Sequence, residues 1–193
     1  SLQVLYNKAF NPSNSLLMAI SSTINKVSLS IANMDQHYYQ NHELTVAQHP
    51  SETDFRFMIR LIAFMLNASD QLCFTKGLNS DDEPELWQKS LTDEIELWID
   101  LGQPDEKQIR KACGRARQVI IYTYHERKAK VWWEQQQEKY QRFKNLKVVH
   151  IHAEGVDSMM QRSMQLQCNI QDGDIYLNDE NTNITITLDK RQG

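Results

Sequence analysis

Glycine is scarce, with six residues in 193, and the six are scattered. No GxGxxG, GxxxxGK[ST] or GxSxG string can therefore be written anywhere, which removes the dinucleotide-binding, P-loop and α/β-hydrolase signatures. Cysteine is equally sparse. Cys73, Cys113 and Cys168 are odd in number and far apart, whereas disulfide frameworks use even counts and zinc sites use close pairs. Three reduced, mostly buried thiols are expected. Long apolar runs are missing too: the longest, Phe55 to Leu66, is broken by Arg56 and Arg60 and falls short of the ~20 residues that span a bilayer. The opening SLQVLYNKAF has no basic region followed by an apolar run and a small-residue cleavage site, so the cytoplasm is the default expectation.

What is present is an ordinary globular composition, 40% hydrophobic and 24% charged, and the length of about one domain at ~150 residues each. The net charge of -4 hides a sharp reversal. Residues 79 to 106 hold ten acids against Lys89 alone, and residues 107 to 130 hold eight bases against Glu126 alone. An acidic block can gather a divalent cation and a basic block can hold phosphates, while solvated hairpin and helix faces give the same pattern.

Between Ile24 and Val46, VSLSIA and LTVAQ flank the polar tract DQHYYQNHE. The apolar and polar alternation predicts two strands joined by a turn in that tract. His49-Pro50-Ser51 ends them, and Ser51 with Asp54 resembles a capping box before FRFMIRLIAFML, a helix at about 52–67. Phe55, Ile59, Ile62 and Leu66 form its core stripe, and Glu52, Arg56 and Arg60 share a charged face one turn apart. QLCFTKG (71–77), ELWQKS (85–90) and IELWIDLG (95–102) predict an antiparallel meander. A helix follows from Gln103-Pro104-Asp105-Glu106, with proline expected in its first turn. Then come a strand at VIIYTY (119–124), a helix from about Glu126 to Phe143, and a strand at LKVVHIH (146–152). LQCNIQDGDIYLND predicts a hairpin around Asp172-Gly173, and ITITLDK a last strand. The expected class is α/β (α+β), a mixed β-sheet flanked by helices, with additional β-strands at both ends.

Strand alternation puts Glu96, Trp98 and Asp100 on one face of IELWIDLG. If the two hairpin strands pair through SLTDE, Glu85 and Asp100 converge at one end, and paired carboxylates repel unless a cation sits between them. A solvent-facing hairpin with surface acids is the other outcome.

The strings HPSE (49–52), FTKGL (74–78), DDEPELW (81–87), LWIDLGQPDEKQIRKA (97–112) and WW (132–133), in this order and spacing, resemble the bacterial YaeQ family from Met18 almost to the end. The resemblance implies a single domain at 18–190 preceded by an extension at 1–17, and a variant of the PD-(D/E)XK nuclease fold. It also implies a site. Glu85 stands at the acid of the PD position and Asp100 at the (D/E) position, as ligands for Mg²⁺ or Mn²⁺, while Glu52 matches a further acid placed beside the metal in many members. Gly102 stands where the lysine belongs. Some members supply that lysine from the following helix, which points to Lys111, with Lys107 one turn earlier on the same face. The expected activity is metal-dependent phosphodiester hydrolysis in nucleic acid, with phosphate contacts from Lys107, Arg110, Lys111, Arg115 and Arg117. The alternative is an inactive nuclease fold that binds nucleic acid or a protein partner. His150 and His152 lack a third ligand nearby in the sequence and are expected as a packed or solvent-bonded pair. Trp132, Trp133, Tyr140 and Phe143 are expected in the core of their helix, although such rings can also stack on bases.

Overall fold

The computed structural model describes residues 22–75 and 82–193. The extension expected at 1–17 lies outside the described residues, as do parts of the FTKGL and DDEPELW strings.

The first two strands are β1 (Thr23–Asn33) and β2 (Tyr38–Gln48), antiparallel along their full lengths. Their turn is tighter than the sequence suggests: it occupies residues 34–37, with His37 at φ 54°, and YYQNHE belongs to β2. The alternation is lost there because β2 forms one edge of the sheet and leaves most of its side chains in solvent. Helix α1 (Asp54–Asn67) follows. Thr53, rather than Ser51, caps it by accepting the Arg56 N–H at 3.1 Å.

The meander forms as β3 (Leu72–Phe74), β4 (Leu86–Lys89) and β5 (Ile95–Leu101). Helix α2 (Glu106–Arg115) has Asp105 as its cap, with Asp105 and Gln108 in a reciprocal capping box, so Pro104 precedes the helix instead of entering its first turn. Strand β6 (Ala116–Thr123) starts directly at its end, followed by α3 (Glu126–Tyr140), β7 (Leu146–His152) and a short 3-10 helix (Val156–Met159). The chain then runs through β8 (Ser163–Gln171), β9 (Asp174–Asn178) and β10 (Asn183–Gln192). Asp172 and Gly173 turn the β8–β9 hairpin at φ 53° and 81°, as the two-residue Asp-Gly connection requires.

The class is mixed α+β. Ten strands share one sheet in the order β2-β1-β8-β9-β10-β7-β6-β5-β4-β3. Among the described residues, parallel pairing is confined to β1–β8 and to β5–β6–β7, where α2 and α3 make the crossovers. Helix α1 is buried from Phe57 through Met65, Arg60 included. A helix covered on every side needs a sheet that curls around it, and the core confirms this: α1 packs with Leu29, Leu166, Leu177 and Ile186 from one half of the sheet and Leu86, Ile99 and Ile120 from the other. The face that carries Arg56 and Arg60 is consequently interior. A second core joins α2 and α3 to the opposite face through Ile109, Tyr140, Trp98 and Ile121. Cys168 is buried and Cys113 half-buried, but Cys73 is exposed on the short strand β3. No helix among the described residues is long and apolar enough to cross a membrane.

Candidate carboxylate site at the end of the parallel strands

Strands β4 and β5 pair with Leu86 opposite Ile99, which sets Glu85 beside Asp100 at the C-terminal end of β5. The Glu85 N–H donates to the Ile99 carbonyl at 3.0 Å and reaches Asp100 Oδ1 at 3.3 Å. The indole Nε1 of Trp98 donates to Asp100 Oδ2 at 2.8 Å. The hairpin pairing thus brings Glu85 and Asp100 together through the Glu85 backbone, and the Glu85 charge is near enough to raise the Asp100 pKa. Glu96 does not join them. A bulge between Gln88 and Lys89 shifts the register there, so that Ile95 packs beside Trp98 and Glu96 accepts a hydrogen bond from Gln88 at 2.8 Å.

Burial pushes the Asp100 carboxyl up to about 6; the Trp98 hydrogen bond opposes that rise and the nearby Glu85 charge adds to it. Glu85 Oε1 receives Arg56 Nη2 at 2.5 Å, while Glu85 Oε2 is buried with no partner among the described residues. A buried carboxylate oxygen left unpaired is costly and marks a place for a cation or a proton.

Glu52 stands behind Arg56. Its Oε1 accepts Arg60 Nη2 at 2.6 Å, and its Oε2 accepts Arg60 Nε at 2.9 Å and Arg56 Nη1 at 2.6 Å. Both oxygens face guanidinium groups, and the carboxylate is almost completely buried. Glu52 therefore reaches the other two acids through Arg56. Burial alone would lower the Arg56 pKa, but Glu85 and then Glu52 reverse this and hold it above its ordinary value. Tyr124, just beyond β6, lies near the same guanidinium; burial raises its hydroxyl pKa and Arg56 opposes that rise. Arg60 also donates to the Ala47 carbonyl at 2.7 Å, tying the end of β2 to the site.

Arg56, Trp98 and Tyr124 were not among the residues expected in the site. For Arg56 the sequence does carry a trace, because Glu52, Arg56 and Arg60 recur every four residues on one helical face. That spacing is read as a solvated face until the sheet is known to curl over it.

Gly102 ends β5 with φ at 90°, and its N–H donates to the Tyr122 carbonyl at 2.9 Å. Among the described residues, no atom outside its chain neighbours lies within 4 Å of where a Cβ would stand, so left-handed backbone rather than lack of room disfavours a side chain here. Lys111 forms an ion pair with Asp82, three residues before Glu85, and Arg115 donates to the Asp82 carbonyl at 2.6 Å. Lys111 draws the Asp82 pKa below the usual carboxylate value. Arg117 pairs with Glu94 at 3.3 Å. Lys107, Arg110, Lys111, Arg115 and Arg117 are all exposed on α2 and the start of β6.

His150 is buried and bonded to Thr123 Oγ1 at 2.7 Å, and His152 bonds Asp189 at 2.5 Å. Their rings touch edge to face at 4.6 Å. They form a packed pair on the α3 side of β7.

Among the described residues no three His, Cys, Asp or Glu side chains converge as a metal-ligand group. Glu85 and Asp100 nevertheless fit Mg²⁺ or Mn²⁺ in one respect: Mg²⁺ is usually held by one or two carboxylates together with water and substrate phosphate, and Glu85 Oε2 is an oxygen donor lacking a partner.

A family model described as YaeQ protein matches residues 18–188. The YaeQ proteins of Escherichia coli strain K12 and of Salmonella typhi are 43% and 41% identical over 174 residues, covering 89% of this chain and 96% of each relative. The crystal structure of YaeQ from Xanthomonas axonopodis pv. citri superimposes with a TM-score of 0.87 at 42% identity, over 90% of this chain and 99% of that one. The YaeQ structure from Pseudomonas syringae gives 0.84 at 28% identity, over 89% and 97%. Sequence and fold agree along nearly the whole of each relative, and the chain belongs to the YaeQ family.

Proposed function

We propose that this protein is a variant PD-(D/E)XK nuclease that hydrolyses phosphodiester bonds in nucleic acid with Mg²⁺ or Mn²⁺. The observation that carries the reading is the buried, unpaired Glu85 Oε2 beside an Asp100 whose pKa burial raises to about 6. Two largely buried acids, near enough for the Glu85 charge to raise the Asp100 pKa, have an electrostatic demand for a cation. The succession α1, β3-β4-β5, α2, β6 is also the core order of that nuclease superfamily.

In this reading Glu85 and Asp100 hold the metal. The metal supplies charge that polarises the scissile phosphate and lowers the pKa of the attacking water. Trp98 and the Glu85 N–H fix the Asp100 carboxylate, so that both oxygens are oriented before substrate arrives. Glu52 acts at one remove, by holding Arg56 against Glu85. Lys111, carried by α2 and anchored at Asp82, takes the place of the lysine absent at Gly102; its ammonium orients the water or offsets charge on the phosphate. Lys107, Arg110, Arg115 and Arg117 contact the backbone without reading sequence.

Gly102 favours a second reading, an inactive member that binds nucleic acid or a protein. Its φ of 90° disfavours any lysine there, and Arg56 already supplies one positive charge to Glu85. Cleavage of single- and double-stranded DNA and RNA with Mg²⁺ or Mn²⁺ separates the two. The nuclease cleaves, and the double variant Glu85→Gln/Asp100→Asn does not. Absence of cleavage by the parent on all four substrates leaves the binder; equal cleavage by the double variant removes both carboxylates from the chemistry.

A further inference from the structure

On the far side of Gly102 the chain enters a loop, Gln103-Pro104, that lies against the first turns of α3. Between them is an open cleft of about 520 Å³, within the size range of small-ligand pockets. Its walls are mostly apolar, from Trp132 and Val131, with Gln103, Gln135, Arg127 and Lys128 around them. Trp132 is held in place rather than loose: its Nε1 donates to the Pro104 carbonyl at 3.0 Å, and its ring packs on Tyr140 at 5.6 Å. Val131 is half exposed although it is apolar.

Two further features show what kind of ligand fits. Gln103 lines the cleft, and its Nε2 group is buried with no hydrogen-bond partner among the described residues; a turn of this side chain toward the cleft would let an acceptor on a ligand satisfy that donor. Arg127 and Lys128 occupy the first turn of α3, and the cap residue His125 makes no side-chain bond to that turn. Two cations and the positive end of a helix dipole therefore stand at one rim of an apolar slot. A flat apolar body with hydrogen-bond acceptors on its edge and an anionic group beside it is the chemistry of a nucleotide.

We propose that this cleft takes one unpaired nucleotide of a single-stranded nucleic acid, its base against Trp132 and its phosphate against Arg127 and Lys128. Base stacking on an aromatic side chain is tolerant of sequence and is unavailable to a base inside a duplex. Gln103 follows Asp100 by three residues, with Gly102 between the end of β5 and the cleft. The inference rests on nucleic acid being the ligand, as in the reading above, but not on cleavage.

The test is fluorescence anisotropy with a labelled oligothymidylate, against the same label on a duplex, in EDTA so that no metal-dependent cleavage intervenes. The parent should prefer the single strand. Trp132→Ala should weaken its binding about tenfold, the scale of one lost stack. Because Trp132 also packs on Tyr140, two milder variants guard against a folding artefact. Val131→Asp places a negative charge at an exposed helical site, and Gln103→Leu removes the amide donor at similar size; both should keep the parental melting temperature and bind the single strand several-fold more weakly. Arg127→Ala should flatten the dependence of log affinity on log salt by about 0.7, whereas Gln103→Leu, which changes no charge, should not flatten it. Equal affinity for duplex and single strand, or parental binding by both Val131→Asp and Gln103→Leu, overturns the proposal. Its failure is distinguishable from that of the nuclease reading. A protein that cleaves but ignores the cleft variants loses only the cleft, and one that binds single strands through the cleft without cleaving them loses only the nuclease.

Discussion

Asp100 is a carboxylic acid placed where its own charge is poorly tolerated. Two donors, the Trp98 indole and the Glu85 N–H, favour the ionised form, yet burial outweighs them and its pKa rises from an ordinary 3.8 to about 6. The folded chain then binds the Asp100 proton more tightly than the unfolded chain does, so the contribution of this group to stability is fully present below pH 3.8 and is lost as pH rises through about 6. Asp100→Asn cannot ionise and should flatten that part of the curve. In EDTA, thermal unfolding of parent and variant across the same pH series should show the variant gaining on the parent between roughly pH 4 and 7, whatever their fixed offset. Parallel curves would mean that Asp100 is ionised throughout. His150 is the group to separate from this effect, since burial, then His152 and Arg191, push its pKa down; its contribution is lost as pH falls, the opposite sense, and it is common to both proteins. The sequence makes Glu85 and Asp100 legible as a pair because two short strands and a turn admit few registers. It does not disclose Arg56, whose position matters only once the helix that carries it is known to be enclosed.

At the scale of the element, α2 is the piece on which the proposed chemistry turns. It is a short helix, stopped cleanly at its start by the Asp105–Gln108 capping box and running at its end straight into β6, and it buries little besides Ile109 and Ala112. Its outward face is therefore free to carry Lys107, Arg110 and Lys111. If Lys111 serves the carboxylates, Lys111→Ala should reduce metal-dependent cleavage by orders of magnitude, and Lys107→Ala, one turn earlier, should leave it within a few-fold of the parent. Equal losses would identify a general phosphate-binding face, and an unchanged rate for Lys111→Ala would leave Glu85 and Asp100 without that partner. The helix itself is easily read from its caps and its spacing. Less so is β2: YYQNHE carries polar residues where a half-buried strand would alternate, and only its pairing with β1 along all eleven positions makes it a strand. The Glu96 bulge has a similar cause, since an extra residue in one strand of a hairpin breaks the face pattern on which alternation depends.

Across the whole molecule, the order of elements follows from sequence, but the shape does not. The parallel pairing of β1 with β8 joins strands more than a hundred residues apart, and it brings the two terminal hairpins into one sheet that closes around α1. No local pattern encodes that contact. Its consequence is that the site draws on three separated parts of the fold: Glu52 and Arg56 at the start of α1, Glu85 before β4, and Asp100 at the end of β5. A cation bound by Glu85 and Asp100 should stabilise the entire cooperative unit, because it binds the folded chain and finds no assembled site in the unfolded one. At a hundred times its dissociation constant the gain is about 2.7 kcal/mol, which for a chain of this size is a rise of about 5–10 °C in melting temperature. Mg²⁺ or Mn²⁺ added to EDTA-treated protein near pH 8 should produce that rise. Lowering the pH below about 6 should shrink it, since the proton returning to Asp100 competes for the same oxygens. Asp100→Asn should abolish it at every pH. If the variant keeps the parental shift, the cation sits elsewhere, and the demand for charge at Glu85 and Asp100 is met by Arg56 and a retained proton alone.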